Sequence, residues 1–159
     1  MEFYTIGVYN STEKDFFEKL IHNDIDTFFD IRQRRGVRGA KYSFVNSKKL
    51  QFKLNELGIK YYYTQELAPT TEIREKQKEI DQKNSILKKE RNKLGNAFIF
   101  EYENLIIKKF DFNAFIKFLE NNHSKKVVLF CVEEFHEACH RSIVTNTLNK
   151  QYNYNIIHL

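Results

Sequence analysis

The chain has 159 residues, of which 42% are hydrophobic and 30% charged, as expected for one globular domain rather than a disordered protein. The N-terminus carries no secretory leader pattern, no apolar run approaches the ~20 residues of a membrane helix, and two cysteines cannot form a disulfide framework. We therefore expect a single domain over residues 1–159 in a reducing, cytoplasmic setting, away from membranes. The net charge of +5 permits an anionic partner such as a nucleotide or nucleic acid.

Short β-prone runs alternate with helical patterns along the chain. Strands are expected at residues 5–9, 27–31, 59–63, 126–131 and 155–159. Helices are expected at residues 12–23, 47–57 with Ser47 as its cap, 112–119 and 139–149, and residues 98–106 fit a helix slightly better than a strand. This alternation favours parallel pairing and predicts an α/β fold, a Rossmann-like three-layer arrangement with a mainly parallel sheet flanked by helices.

Residues 70–94 differ from the rest of the chain, because about half of them are charged and none is glycine or proline. Their apolar positions recur every seventh residue, at Ile73, Ile80, Leu87 and Leu94. So narrow a seam predicts one long, charged helix that lies over the domain and is otherwise solvated. A mobile lid and a dimer contact are alternatives, so we expect a monomer or a homodimer formed through this helix.

Polar residues follow four of the predicted strands. In an open parallel sheet, ligands bind outside the carboxyl ends of the strands, so these residues are expected to meet at one edge. They are Tyr9, Asn10 and Ser11 after the first strand, Asp30 and Arg32 after the second, Gln65 and Glu66 after the third, and Cys131, Glu133, Glu134 and His136 after the KVVLFC strand. The convergence predicts a pocket, with Tyr9, Asn10 and Ser11 among its lining residues.

Residues 32–41 form an arginine loop with five cations and two glycines. Glycine lets the backbone approach an oxyanion, and arginine offers paired donors, so phosphate or a nucleic-acid backbone is the natural partner. Alternatively, the loop is solvated and its arginines pair with the nearby acids. The candidate anion-binding residues are Arg32, Arg35, Arg38 and Arg141.

Acids, histidine and cysteine near the strand ends are candidates for chemistry. Asp30 ends an apolar strand, so a buried carboxylate there needs an arginine partner and serves as a general base or an arginine-orienting group, unless its pairing is purely structural. Cys139 starts a helix beside Arg141, where dipole and cation would lower the pKa of its thiol. The candidate catalytic residues are Asp30, Glu133, Cys139 and His140.

The two cysteines lie eight positions apart, a spacing that is not a usual zinc-finger or zinc-ribbon pattern. No metal site is therefore predicted, and no cofactor is indicated. Cys131, on a buried strand, is most simply a small core residue.

Four sequence elements together resemble the domain-of-unknown-function family 488. They are TIG near the start, DIR at the second strand, GIKYYY at the third, and Cys131-x-Glu133-x5-Cys139-His140-Arg141 near the end. The likeness spans residues 5–159 and implies a compact α/β domain whose site includes Asp30, Arg32, Glu133, Cys139, His140 and Arg141. Many relatives carry a proline and a Ser-Arg pair after the second strand, where this chain has QRRGVRG.

These features predict an enzyme that acts on a phosphorylated ligand, such as a nucleotide or a nucleic-acid component. One alternative is a nucleic-acid-binding module without catalysis, in which the arginine loop contacts phosphates. The other is a thiol redox or metal-linked sensor built on Cys131 and Cys139.

Overall fold

A computed structural model of the chain describes residues 1–36, 39–87 and 90–159. Within them, a five-stranded sheet has the order β3-β2-β4-β1-β5. Its strands are β1 (Glu2–Ile6), β2 (Thr27–Asp30), β3 (Lys60–Tyr63), β4 (Lys126–Phe130) and β5 (Ile156–His158). Each pairing is parallel, as predicted. Because the strands run the same way, all their carboxyl ends lie along one edge.

Helices follow the strands and cover both faces of the sheet. They are α1 (Glu13–His22), α2 (Ser47–Glu56), α3 (Thr71–Lys83), α4 (Asn96–Leu105), α5 (Phe112–Asn121) and α6 (His140–Tyr152). The ambiguous run around residue 100 is therefore helical. Among the described residues, no helix combines the length and apolarity needed to cross a membrane.

Two apolar cores lie on opposite faces of the sheet because side chains alternate along each strand. Phe28 and Phe130 belong to the core that includes residues of α1 and α2, whereas the neighbouring Phe29 and Leu129 belong to the core that includes residues of α4, α5 and α6. A sheet between two helical layers is the predicted three-layer α/β architecture, which is confirmed.

Local sequence explains where the helices begin. Thr12 forms a capping box with Asp15, in which the side chain of each residue bonds the main-chain N–H of the other. Ser47, predicted as the cap of α2, is instead its first residue, and Asn46 is the residue before it. The predicted cap is therefore off by one residue, whereas the helix itself is present.

The predicted long helix over residues 70–94 is wrong in its length. The helix α3 ends at Lys83, and Ser85 adopts a positive φ of 53°, which turns the chain away. Leu87 is 56% exposed, whereas Ile73 and Leu94 are buried. The seven-residue seam is therefore interrupted, and the continuous helix on which a dimer contact was predicted does not form.

Candidate functional site

Asp30 and Arg32 form a buried ion pair at the end of β2. The guanidinium donates from Nε to Asp30 Oδ1 at 2.8 Å and from Nη2 to Oδ2 at 2.7 Å, and the Arg32 main-chain N–H donates to Oδ1 at 3.2 Å. The side chains are 2% and 0% exposed, and the guanidinium lies 4.5 Å from the centre of the Phe130 ring. Arg32 Nη1 is buried and has no hydrogen-bond partner among the described residues. The predicted pairing of Asp30 with an arginine is thus present, and one donor is left over.

Tyr61 and Arg35 extend this pair toward solvent. The Tyr61 hydroxyl donates to Asp30 Oδ2 at 2.9 Å, and the Arg35 guanidinium lies 4.1 Å from the centre of the Tyr63 ring. Burial, followed by the negative charge of Asp30, raises the pKa of Tyr61 to about 12. A hydrogen bond with Tyr61 raises the pKa of Arg35. Arg35 is half-buried, so its cation stays at the protein surface beside the buried pair.

The raised pKa of Tyr61 predicts a loss of stability at alkaline pH. The pKa of an unfolded tyrosine is about 10, whereas that of folded Tyr61 is about 12. Between these values the unfolded chain releases the proton and the folded protein keeps it, so the free energy of unfolding falls as pH rises. Urea unfolding of wild type and Tyr61→Phe across this window measures the effect, and wild type should show the steeper fall. Equal slopes would contradict the contribution of Tyr61, since the other tyrosines are common to both proteins.

A cluster of two thiols, an imidazole and a carboxylate lies at the end of β4 and the start of α6. The Cys131 thiol donates to Glu133 Oε2 at 3.2 Å. His140 Nδ1 lies 3.7 Å from Cys139 Sγ and 4.0 Å from Cys131 Sγ. All four side chains are buried. We call these residues, Cys131, Glu133, Cys139 and His140, the thiol–imidazole cluster.

The orientation of His140 is fixed by the end of β2. Its Nε2 lies 3.0 Å from the carbonyl oxygen of Ile31. Since a carbonyl only accepts, Nε2 carries the proton, and Nδ1 of the neutral ring offers a lone pair to the two sulfur atoms. Burial lowers the pKa of His140, but its interactions with Cys131 and Glu133 outweigh burial and raise the pKa overall.

The Cys131 thiol is held in its neutral form. A hydrogen bond with Cys139 and burial, in that order, raise its pKa well above the ordinary value. A neutral thiol is a weak nucleophile, so Cys131 alone is not an activated cysteine. The sequence predicts Cys131 both as a buried residue and as one of the polar residues at the strand end, and its burial beside Glu133 and His140 agrees with both predictions.

Arg91 was missed by the sequence analysis, because the charged segment around it suggested a solvated helix face. Its side chain is buried and bonds Asp81 through Nη1 at 2.8 Å. Its Nη2 bonds Glu133 Oε1 at 3.2 Å and the carbonyl oxygen of Ala138 at 3.0 Å. Arg91 therefore orients the Glu133 carboxylate from the side opposite Cys131. A repeat of charged residues gave no signal for this inward turn.

Arg141, predicted to bind an anion, is 1% exposed and bonds the main chain. Its Nη1 donates to the carbonyl oxygen of Glu133 at 2.6 Å, and its Nη2 donates to that of Glu134 at 2.8 Å. Its Nε is buried without a partner among the described residues. The guanidinium thus fixes the loop after β4.

The residues after β1 meet the same loop. Asn10 Nδ2 donates to Glu134 Oε2 at 2.5 Å, and the Asn10 main-chain N–H donates to the Tyr42 hydroxyl at 3.1 Å. The Tyr9 and Tyr42 rings lie 5.5 Å apart, and the Ser11 N–H donates to the carbonyl oxygen of Val8. Tyr9 and Asn10 are therefore at the predicted edge, while Ser11 mainly closes a turn.

The predicted site residues form two neighbouring groups at this edge. Asp30 and Arg32 contact Tyr61 and Phe130, whose rings belong to the core near α1 and α2. His140 lies against Tyr102, 5.4 Å between ring centres, in the core on the other face. The Ile31 main chain joins the groups through His140 Nε2. Arg38, another predicted anion-binding residue, lies outside the described residues.

A cavity of about 580 Å³ opens beside the end of β3. Its lining is largely aromatic and aliphatic and includes Tyr63, Thr64, Glu66 and Phe110. The thiol–imidazole cluster and the Asp30–Arg32 pair do not line it. Tyr63 joins this cavity to the edge where the strands end, since its ring lines the cavity and also contacts the Arg35 guanidinium.

Comparison with known proteins identifies the family. The chain matches the family model described as domain of unknown function DUF488 over residues 12–148, so it belongs to that family, as the sequence motifs predicted. No curated protein and no solved structure matches the chain. The ligand must therefore be argued from the site itself.

Proposed function

We propose that this member of the DUF488 family is an enzyme acting on a phosphorylated ligand, such as a nucleotide or a nucleic-acid component. The carrying observation is Arg32, whose Nε and Nη2 are occupied by Asp30 while the buried Nη1 has no partner among the described residues. A buried donor without an acceptor costs about 1–3 kcal/mol. A phosphate oxygen is a strong acceptor for a guanidinium already oriented by a carboxylate.

Arg35 supplies the second cation of the proposed phosphate site. Its guanidinium packs on the ring of Tyr63, which belongs to β3, the strand next to β2. The Tyr61 hydroxyl hydrogen-bonds to both Arg35 and Asp30. A phosphate near Arg32 Nη1 and Arg35 would meet two cations against the one charge of Asp30. In this proposal Arg141 positions the β4 loop and does not contact the ligand.

The thiol–imidazole cluster is the proposed source of chemistry. Glu133 and His140 are acid–base groups, and His140 is tied to the residue between Asp30 and Arg32 by its bond to Ile31. A ligand held by its phosphate at Arg32 would present its reacting part to the loop after β4. Glu133 then handles proton transfer, and Arg91 and Cys131 hold its two oxygens in place.

Binding is tested by thermal shift and calorimetry with inorganic phosphate, pyrophosphate, nucleotides, sugar phosphates and short oligonucleotides. A ligand present at about 100 times its Kd should stabilise wild type by about 2.7 kcal/mol. Arg35→Gln should weaken that ligand about ten- to hundredfold, because a hydrogen bond to a charged group contributes about 1.5–3 kcal/mol. Lys117→Gln removes one exposed positive charge from α5 and should leave the Kd unchanged.

Turnover of the identified ligand separates an enzyme from a binding module. Glu133→Gln should retain the wild-type Kd and lose product formation, followed by phosphorus NMR. An affinity that is equal in Arg35→Gln and Lys117→Gln would overturn the phosphate site. Affinity only for oligonucleotides, falling steeply with added salt and without turnover, would establish a nucleic-acid-binding module instead.

A further inference from the structure

Three donor atoms of the thiol–imidazole cluster have the spacing of metal ligands. Cys131 Sγ, Cys139 Sγ and His140 Nδ1 all lie within 4.8 Å of one another, and the two sulfur–nitrogen distances are 4.0 and 3.7 Å. In a tetrahedral zinc site, with Zn–S of about 2.3 Å and Zn–N of about 2.0–2.1 Å, the donors lie roughly 3.6–3.8 Å apart. Shifts of at most about 1 Å would therefore place all three around one ion.

The imidazole is already oriented as a ligand. Its Nε2–H is used by the Ile31 carbonyl, which leaves the Nδ1 lone pair facing both sulfur atoms. A metal-binding histidine ordinarily donates its second ring N–H to a carbonyl or carboxylate, which fixes the tautomer. The Ile31 carbonyl, immediately after β2, accepts that N–H from His140.

Glu133 lies beside the three donors and is not one of them. Its Oε2 lies 3.2 Å from Cys131 Sγ, and its Oε1 accepts from Arg91 at 3.2 Å. The two thiolates carry two negative charges, which a divalent ion neutralises. A buried cluster requires such neutrality, and a monovalent copper ion would leave one charge uncompensated.

We propose that Cys131, Cys139 and His140 bind a zinc ion through their two sulfur atoms and Nδ1. The two thiol protons pass to solvent as the sulfur–zinc bonds form, and no oxidation occurs. Thiolate and imidazole donors favour zinc over magnesium or calcium. The spacing rules for zinc fingers miss this site, because Cys131 immediately follows β4 and Cys139 immediately precedes the histidine at the start of α6.

The test is a titration of the reduced, metal-free protein with Co²⁺ and then Zn²⁺, followed by absorption spectroscopy. We expect one ion per chain, a thiolate-to-cobalt charge-transfer band and its loss when Zn²⁺ displaces the cobalt. This readout needs no phosphorylated ligand, so it succeeds or fails independently of the proposed activity. Absence of the charge-transfer band in folded wild type would overturn the proposal.

Variants assign the ligands. Cys131→Ser, Cys139→Ser and His140→Gln should each weaken Zn²⁺ binding more than about 100-fold, since even the residues that hydrogen-bond to metal ligands contribute about 10- to 100-fold. Glu133→Gln should weaken binding less and keep the thiolate band. His136→Gln is the matched control, because His136 stacks on His158 and pairs with Glu137, away from the cluster. Unchanged affinity in folded His140→Gln, or an equal loss in His136→Gln, would refute the assignment.

Discussion

Replacing Gly7 with alanine should lower the free energy of unfolding by about 3 kcal/mol or more. A Cβ at this position would lie 2.0 Å from the carbonyl oxygen of Glu133 and 2.9 Å from its carbonyl carbon. That carbonyl cannot easily retreat, because it accepts a hydrogen bond from the buried Arg141. Overpacking a core costs about 1–3 kcal/mol where neighbours can shift, and more where main chain must move. Urea unfolding followed by circular dichroism measures the loss.

Gly36 offers a matched control for this substitution. Among the described residues other than its chain neighbours, no heavy atom lies within 4 Å of a Cβ built there, and its φ is outside the positive range that disfavours side chains. Gly36→Ala should therefore leave the midpoint of unfolding nearly unchanged. A Gly7→Ala protein as stable as Gly36→Ala would mean that β1 and the loop after β4 separate without cost.

The second large effect is expected at Asp30. Asp30→Asn keeps the shape of the side chain but leaves the buried Arg32 cation without its counter-charge. Breaking a buried ion pair by removing one partner costs about 3–5 kcal/mol, because the remaining charge is desolvated and uncompensated. Chemical denaturation should show this loss at neutral pH.

A double variant distinguishes the effect of leaving the Arg32 charge unpaired from the effect of losing its packing on Phe130. Arg32→Met removes the cation and keeps an unbranched side chain against Phe130, so adding it to Asp30→Asn should restore part of the stability. A double variant less stable than Asp30→Asn would show that the guanidinium matters through packing rather than through charge. Glu56→Gln, at an exposed pair with Lys53 on α2, is the surface control and should change stability by less than about 1 kcal/mol.

The sequence was sufficient to predict the sheet. Runs such as Val127 to Phe130 are apolar at every position, as expected for a strand that is covered by helices on both faces of the sheet. Helical patterns separate these runs along the chain. The polar residues at the strand ends followed from the same argument, because parallel strands deliver their carboxyl ends to one edge. Asp30, Asn10 and Glu133 lie where this topology predicts.

Apart from the pairing of Asp30 with an arginine, the partners of the charged residues could not be predicted. A seven-residue repeat does not show that a chain turns at Ser85 and inserts Arg91 beside Glu133, since both features depend on tertiary packing. Arginine in a strand-end loop or in the first turn of a helix suggests an exposed cation, yet Arg32 and Arg141 are buried. The approach of Cys131 to His140 depends on where α6 begins relative to β4, which no spacing rule encodes.

The two hydrogen bonds from Arg141 to the loop after β4 bear on which substitutions this fold can accept. Both bonds end on carbonyl oxygens, which every amino acid possesses, so the loop keeps its course whatever side chains residues 133 and 134 carry. Identity at those positions is thereby uncoupled from backbone geometry. Side chains of different chemistry could therefore replace one another at these two positions while the main chain of this edge keeps its course.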